Sequence, residues 1–534
     1  MRQVAPLDAV WLELESRDTP MHVGGLLEFT LPKDAPADYL KQVFEQMRSV
    51  RTIPPPWNLR LVEPPVIGPR LPLMREIHDV DLDYHVRHSA LPHPGGQREL
   101  GILVSRLHSH ELDPHRPLWE AHLIEGLEGN RFALYTKTHH SLVDGVSSMR
   151  LIMRALSSDP DRRDMAPFWG VGAGSRPVRT AEENGSPGVV GASLGVLREG
   201  AASVGGISRA AFDLARAAVD SSPLQAPYRA PQSALNGPIE GQRRFATQQY
   251  SLGRLRSMAR QADCTLNEIV LYLCGSALRS YLAEHARVPT RPLTAGIPVN
   301  LREAGDQSMG TVVGMIVAEL GTNIADPLER LQAIKRSSGE AKRHLRTLPS
   351  AARTSYTLLI NGPYIAGLIF GLGSHAPIPF NLGISNVPGP TEPLYFNGSR
   401  LESLFPLSLL LQGNALNITC VSYAGTLNFG FTGARDTLPH LQHLAIFMGE
   451  AFEELDGLLG EHKKATAGAA AKPKAAARPK AGVNAKAAAR PKAGARPKAG
   501  VNAKAAAKPK AKAKPVAKAK PRRTARASGA SAAR

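Results

Sequence analysis

The stretch Thr136-Lys-Thr-His139-His140-Ser141-Leu142-Val143-Asp144-Gly145 decides how the rest of this chain is read. It follows a predicted strand, Arg131-Phe-Ala-Leu-Tyr-Thr-Lys-Thr138. It precedes a helical pattern with Val146, Met149, Ile152 and Leu156 on one face. Neighbouring strand residues point to opposite sides, so His139 and His140 do not easily share one site. One imidazole can face a bound molecule while the other packs backwards. Gly145 suits a sharp exit from strand into helix. Asp144, at the mouth of that helix, is placed to fix a neighbour through a charge-assisted hydrogen bond.

Other segments belong with this one. They are Pro20-Met21-His22-Val23-Gly24-Gly25, Pro117-Leu118-Trp119-Glu120, Asn386-Val387-Pro388-Gly389-Pro390, and Leu416-Asn417-Ile418 with Ser422-Tyr423. His-His-x-x-x-Asp-Gly at a strand end resembles the signature of CoA-dependent acyltransferases. The further segments, in order over roughly residues 1–460, narrow the resemblance to the bacterial wax ester synthase/diacylglycerol acyltransferase family.

The resemblance implies an α/β fold of two chloramphenicol-acetyltransferase-like domains in one chain, with an interfacial channel open at both ends and meeting at the motif. A domain interface is a common place for such a cavity. The implied reaction is acyl transfer from acyl-CoA to diacylglycerol or a long-chain alcohol, without a cofactor, since acyl-CoA is itself a substrate. The family's base is the second histidine, which places that role on His140. An imidazole, with an ordinary pKa of about 6.5, can take the alcohol's proton as attack begins. His139 and Gly145 support it, and Asp144 orders the loop through a cation. No serine sits in a Gly-x-Ser-x-Gly elbow to suggest a covalent intermediate. A hydroxyl or backbone amide near the motif is the place to seek an oxyanion donor.

Plainer readings stand beside these. Asp144 alone reads equally as an ordinary acid at a helix N-terminus. Pro117, Leu118 and Trp119 open a strand, where a tryptophan packs, so they are read as structural support near the pocket. His22 in a strand reads more readily as a structural hydrogen-bond donor than as a functional group. A metal site at His139, His140 and Asp144 is disfavoured by the opposed side chains and a missing fourth ligand. The family commonly has Asn-Asp where this chain has Asn267-Glu268, and Gly-Asn where it has Gly310-Thr311. Asn267 is expected to support the interface, but it also lies beside a capping box, Thr265-x-x-Glu268.

Charge separates body from tail. The chain has 534 residues and a net charge of +19, yet residues 463–534 hold 22 of the 65 Lys and Arg and no acid. The remainder carries 43 basic against 46 acidic residues. The tail repeats Ala477–Lys492 at 495–510 with a period of 18. Lys, Ala and Pro without aromatics cannot bury a core, so disorder is expected there. Its charge suits anionic lipid or nonspecific, salt-dependent nucleic-acid binding, and equally a solubilising extension.

Cys264, Cys274 and Cys420 have no metal spacing and read as reduced thiols. The N-terminus lacks a signal-peptide pattern, so a cytoplasmic protein is expected, peripheral to the membrane's inner face or to lipid inclusions. Tyr356–Gly373 has no charge and approaches spanning length. Asn361, Pro363 and four glycines interrupt it, so one or two buried helices are expected, with docking onto lipid as the second reading.

In chain order, helices are expected at 38–51, 97–112, 266–284, 326–345 and 438–458. Strands are expected at 22–31, 119–124, 131–138, 243–251, 293–299, 312–320, 380–385, 416–422 and 426–432. The resulting division is 1–160, a first acyltransferase half; 161–242, a crossover linker with a weak helical run at 191–219; 243–461, a second half; and 462–534, the tail. Two other readings remain open: a related transferase with a different alcohol or carrier-bound acceptor, and a non-catalytic lipid-inclusion protein whose tail tethers polyanions.

Overall fold

The computed structural model describes residues 2–4, 6–62, 72–143, 145–172, 227–300, 313–348 and 350–470. Asp144, the helical run expected at 191–219, Gly310-Thr311 and the repeat tail lie outside the described residues. Those described belong to one compact unit, Met1–Lys472.

The first half runs β1 (Arg2–Gln3), α1 (Pro6–Leu14), β2 (His22–Thr30), α2 (Tyr39–Arg48), β3 (Leu59–Val62), β4 (Leu73–Glu76), α3 (Leu82–His85), β5 (Val86–Ala90), α4 (Gln97–Ser109), β6 (Trp119–Leu127), β7 (Arg131–His139) and α5 (Gly145–Arg154). The second runs β8 (Arg243–Ser251), α6 (Leu252–Gln261), α7 (Leu266–His285), β9 (Thr294–Asn300), β10 (Val313–Glu319), α8 (Pro327–Thr347), α9 (Ser350–Ile369), β11 (Leu382–Val387), β12 (Tyr395–Phe396), β13 (Ser399–Leu407), β14 (Leu416–Tyr423), β15 (Thr426–Ala434) and α10 (Leu441–Ala470).

Two six-stranded mixed sheets result, ordered β12-β13-β2-β7-β6-β5 and β10-β9-β11-β14-β15-β8, beside a small sheet β1-β4-β3. The expected two-half α/β architecture is present. β6 and β7 are buried along nearly their whole length because both faces of their sheet are covered. On β7, Phe132 and Leu134 enter one core with Trp119, Met149 and Ile152. Ala133 and Tyr135, one residue out of phase, enter another with Leu100 and Val104 of α4.

Sequence order and sheet membership part company at β12 and β13. They lie inside the second half by sequence but extend the first half's sheet, with Leu404 opposite Leu27 and Leu407 opposite Gly24 of β2. The halves are therefore tied by main-chain hydrogen bonds. Phe245 of β8 shares a core with Leu26, Tyr135 and Phe405. At Gly430 of β15 a Cβ would lie 1.8 Å from the Pro406 carbonyl oxygen, so only glycine lets β15 approach β13 this closely.

The uncharged stretch around Tyr356 is helical, as expected, but only part of it is buried. It forms a single helix, α9, carrying Pro363 internally. Tyr356, Ile360 and Tyr364 are buried, but the far end exposes Ile369, Phe370 and Leu372, with Phe370 76% exposed. Among the described residues, no helix is long and apolar enough to cross a membrane.

Candidate active site

The motif occupies the end of β7. His139 lies opposite His22 of β2, and the pairing reaches one residue further, because the His140 N–H donates to the Met21 carbonyl at 2.8 Å. The Leu142 N–H then donates to the His139 carbonyl at 3.0 Å, which turns the chain toward α5. On the other side the His139 N–H donates to Leu118 O at 2.9 Å.

The two imidazoles have different environments. His139 is fully buried. Its Nδ1 accepts the Ser141 backbone N–H at 3.1 Å and lies 2.6 Å from Ser141 Oγ. A backbone amide only donates, so Nδ1 is unprotonated and a neutral ring carries its hydrogen on Nε2. That Nε2 faces Glu15 Oε2 at 3.3 Å. The one lone pair of His139 is thereby engaged, and this ring is a strut. His140 is half-buried, and its ring lies over Trp11 with centroids 4.4 Å apart.

Glu15 and Trp11 escaped the sequence reading in this role. Glu15 follows α1, and its Oε1 accepts the Met21 N–H at 3.1 Å. Since Met21 O holds the His140 N–H, one carboxylate braces the backbone beside one histidine and the ring of the other. Arg243, at the start of β8, holds the same segment from the second half by donating to Asp18 O at 2.8 Å. Burial pulls its guanidinium down to about 10. A lone glutamate 124 residues before the motif carries no periodic or spacing signal that would have singled it out.

Behind His139 lies a buried polar layer. Lys137, 1% exposed, donates to His110 O at 2.9 Å and Leu107 O at 3.2 Å, and pairs with Glu120 Oε2 at 3.2 Å. Burial alone raises the Glu120 carboxyl, but the neighbouring His122 ring, 3.6 Å away, and the Lys137 and Arg87 charges outweigh it and hold it at about 2. His22 donates through Nε2 to His108 O at 2.9 Å, which is the structural role read from its strand position. His108 Nδ1 lies 2.9 Å from Tyr135 Oη, and its Nε2 is 3.4 Å from Ser408 O, just past β13. Burial holds His22 well below the ordinary histidine range and His108 down at about 3.

Stability should therefore fall with acidification. Both folded-state pKa values lie below the unfolded 6.5, so the unfolded chain takes up protons first as pH drops. The contribution is complete above pH 6.5; for His108 about 2 kcal/mol is lost by pH 5, and His22 changes in the same direction. Urea midpoints measured across that range should show the decline; a flat profile would contradict neutral burial of these rings.

The remaining candidates fall as follows. Trp119 is core: its Nε1 donates to Trp57 O at 2.7 Å and its ring stacks on His85 at 4.5 Å. Leu118 is buried, and through its carbonyl the Pro117-Leu118-Trp119 segment supports the motif strand. Gly145 opens α5. Asn267 sits half-buried on the first turn of α7, and Glu268 completes the capping box, with Thr265 N–H donating to Oε2 at 2.8 Å. Its Oε1 accepts from Ser338 at 3.0 Å, so this carboxylate is committed within the second half.

The segments at 386–390 and 416–423, distant in sequence, pack together. Gly389 N–H donates to Ser422 Oγ at 3.1 Å, and the Ala424 N–H to Pro390 O at 3.0 Å. Tyr423 Oη donates to Leu401 O of β13 at 2.9 Å. An apolar cleft lined by Leu27, Phe29, Leu134, Ile152 and Phe396 lies within the first half, against α5.

Comparison with known proteins agrees with this geometry. The wax ester synthase/diacylglycerol acyltransferase catalytic domain model matches residues 4–270, and the C-terminal domain model of the same family matches 309–456. A putative diacylglycerol O-acyltransferase of Mycobacterium tuberculosis is 42% identical, over 86% of this chain and 98% of its own. An O-acyltransferase of Acinetobacter baylyi is 38% identical, over 87% and 99%. The wax ester synthase/diacylglycerol acyltransferase of Marinobacter aquaeolei superposes with a TM-score of 0.70 at 37% identity, over 86% of this chain and all of that one. With matched models spanning both halves and relatives aligned almost end to end, this chain belongs to the wax ester synthase/diacylglycerol acyltransferase family.

Proposed function

We propose that the chain is an O-acyltransferase that moves a long-chain acyl group from acyl-CoA to diacylglycerol, making triacylglycerol, and to long-chain alcohols, making wax esters. Relatives named for these activities support the reaction class. The observation that directs the mechanism is the division within the histidine pair: His139 has its lone pair engaged by Ser141, while His140 holds the half-buried place over Trp11.

His140 takes the proton of the acceptor hydroxyl as its oxygen attacks the thioester carbonyl carbon. The C–O bond forms and the C–S bond breaks through a tetrahedral oxyanion. The imidazolium returns the proton to the departing CoA thiolate, leaving ester and free CoA. No cofactor and no covalent enzyme intermediate enter. The two substrates approach through a channel between the halves, and Gly145 opens the helix that follows the base.

The substrates are lipidic, and we place the chain peripherally on the inner face of the cell membrane or on lipid inclusions. The exposed Ile369, Phe370 and Leu372 at the end of α9 are the apolar contact, and the basic tail adds attraction to anionic lipid. Phe370→Ser is expected to lower sedimentation with phosphatidylglycerol vesicles several-fold while leaving the thermal midpoint unchanged; equal binding would remove this contact from the account.

The functional test offers purified protein palmitoyl-CoA with diacylglycerol or hexadecanol and follows CoA release. Turnover with both is expected, and a chain ending at residue 462 should match the full chain on dispersed substrates. Release with neither acceptor would favour a different alcohol or carrier-bound acceptor. Unchanged cellular triacylglycerol in a His140→Ala strain, with displaced inclusions on tail deletion, would favour a non-catalytic inclusion protein.

A further inference from the structure

A second cluster of histidines lies in the second half, where α7 ends and α10 begins. Leu278, Tyr281 and Leu282 of α7 share a core with Leu441, Leu444 and Met448 of α10, so the two helices are firmly packed here. Above that core, His285 Nε2 and His443 Nδ1 lie 2.9 Å apart. Glu284 Oε1 is 3.2 Å from the first and 3.3 Å from the second. Among the described residues, this is the one group of three His, Cys, Asp or Glu whose ligand atoms converge this closely. His440 stacks on the His285 ring with centroids 4.7 Å apart, which holds that ring's plane.

Three electron-rich atoms point at one another in a near-equilateral triangle. Two neutral imidazoles can share a single N–H between their facing nitrogens. One nitrogen then turns a lone pair toward the carboxylate oxygen, an unfavourable contact. A cation removes the conflict, because all three lone pairs can point at it. An ion at the zinc distances of about 2.0–2.1 Å from each ligand atom would sit roughly 1 Å above their plane, close to three corners of a tetrahedron. Two imidazoles and a carboxylate suit zinc and its neighbours better than magnesium, which prefers oxygen.

We propose that Glu284, His285 and His443 form a binding site for zinc or a similar divalent transition metal, which clamps the end of α7 to the start of α10. Coordination fixes the tautomers, leaving the hydrogen on Nδ1 of His285 and on Nε2 of His443. The site is structural and separate from the acyl-transfer chemistry. His443 lies 158 residues after His285, so no motif announces the site.

The test uses the full chain, stripped with a chelator and dialysed, then titrated calorimetrically with zinc chloride and in parallel with magnesium chloride. One equivalent of zinc and no saturable magnesium are expected, with a thermal midpoint that rises by a few degrees on zinc addition. Cobalt should give the intense visible bands of tetrahedral coordination. His443→Ala should weaken zinc binding about tenfold or more, since removing even an outer partner of a metal ligand costs this much. Glu284→Gln, at an exposed position, provides a second variant should His443→Ala fail to fold. His140→Ala should bind zinc like the parent. Absence of saturable zinc binding, zinc binding unchanged in both His443→Ala and Glu284→Gln, or loss in His140→Ala would each overturn the proposal.

Discussion

His140→Ala is expected to lower CoA release from palmitoyl-CoA and diacylglycerol by a factor of about 10²–10⁴, the usual contribution of a positioned base. Thermal stability should hardly change, because His140 is half-buried and its backbone N–H, which holds Met21 O, is retained by alanine. The equivalent change at His139 is a different experiment. That ring is fully buried, between Ser141 and Glu15, so its removal opens a cavity and leaves the Ser141 N–H without its acceptor. Loss of activity there should come with loss of stability. Steady-state assays on both variants, beside their melting curves, separate a chemical role from a structural one. Equal activity of His140→Ala and the parent would exclude the base.

The second large effect is expected at Glu15. Its carboxylate accepts the Met21 N–H at 3.1 Å and faces His139 Nε2 at 3.3 Å. Glu15→Ala leaves the Met21 N–H without its acceptor and removes the charge beside the buried His139 ring, at a cost of about 1–3 kcal/mol. It also loosens the strand end that positions His140. A small misplacement of a reacting group is expensive in rate, so kcat should fall roughly 10–100-fold while KM for acyl-CoA changes little. Glu15→Gln keeps an oxygen for the Met21 N–H and should recover part of the loss. Wild-type kcat in Glu15→Ala would show that the motif holds itself without this brace.

Much of the frame was legible because it is local. The β6–β7 hairpin, the strand at Arg243–Ser251 and the capped helix from Leu266 follow from apolar periodicity and short-range caps, and the structure has them within a few residues. β13 was not legible. Pro406 argues against a strand, and its partner β2 lies more than 370 residues earlier, so no local pattern announces the pairing. The long uncharged stretch around Tyr356 was ambiguous for a related reason. Composition shows that it is apolar, whereas only packing decides that Ile360 is buried while Phe370 is exposed.

The same distinction applies at the site. His139 and His140 were separable in advance by strand alternation, and Trp119 by its place at the start of a strand. Glu15, Trp11 and the His22–His108–Tyr135 chain reach the motif through space, from α1, β2 and α4. Their roles depend on which lone pair meets which N–H, and that is a property of the assembled fold. At His22 an imidazole of a type that serves chemistry elsewhere is committed to the His108 carbonyl.

The acceptor hydroxyl is expected to meet His140 and no other base. A structure of the protein with a non-hydrolysable acyl-CoA analogue and a long-chain alcohol tests it most directly. The alcohol oxygen is expected at about 2.6–3.2 Å from a ring nitrogen of His140, near the analogue's carbonyl carbon, with His139 still closed off by Ser141. An alcohol oxygen seated against a different base, with the His140 ring turned away from it, would contradict the account.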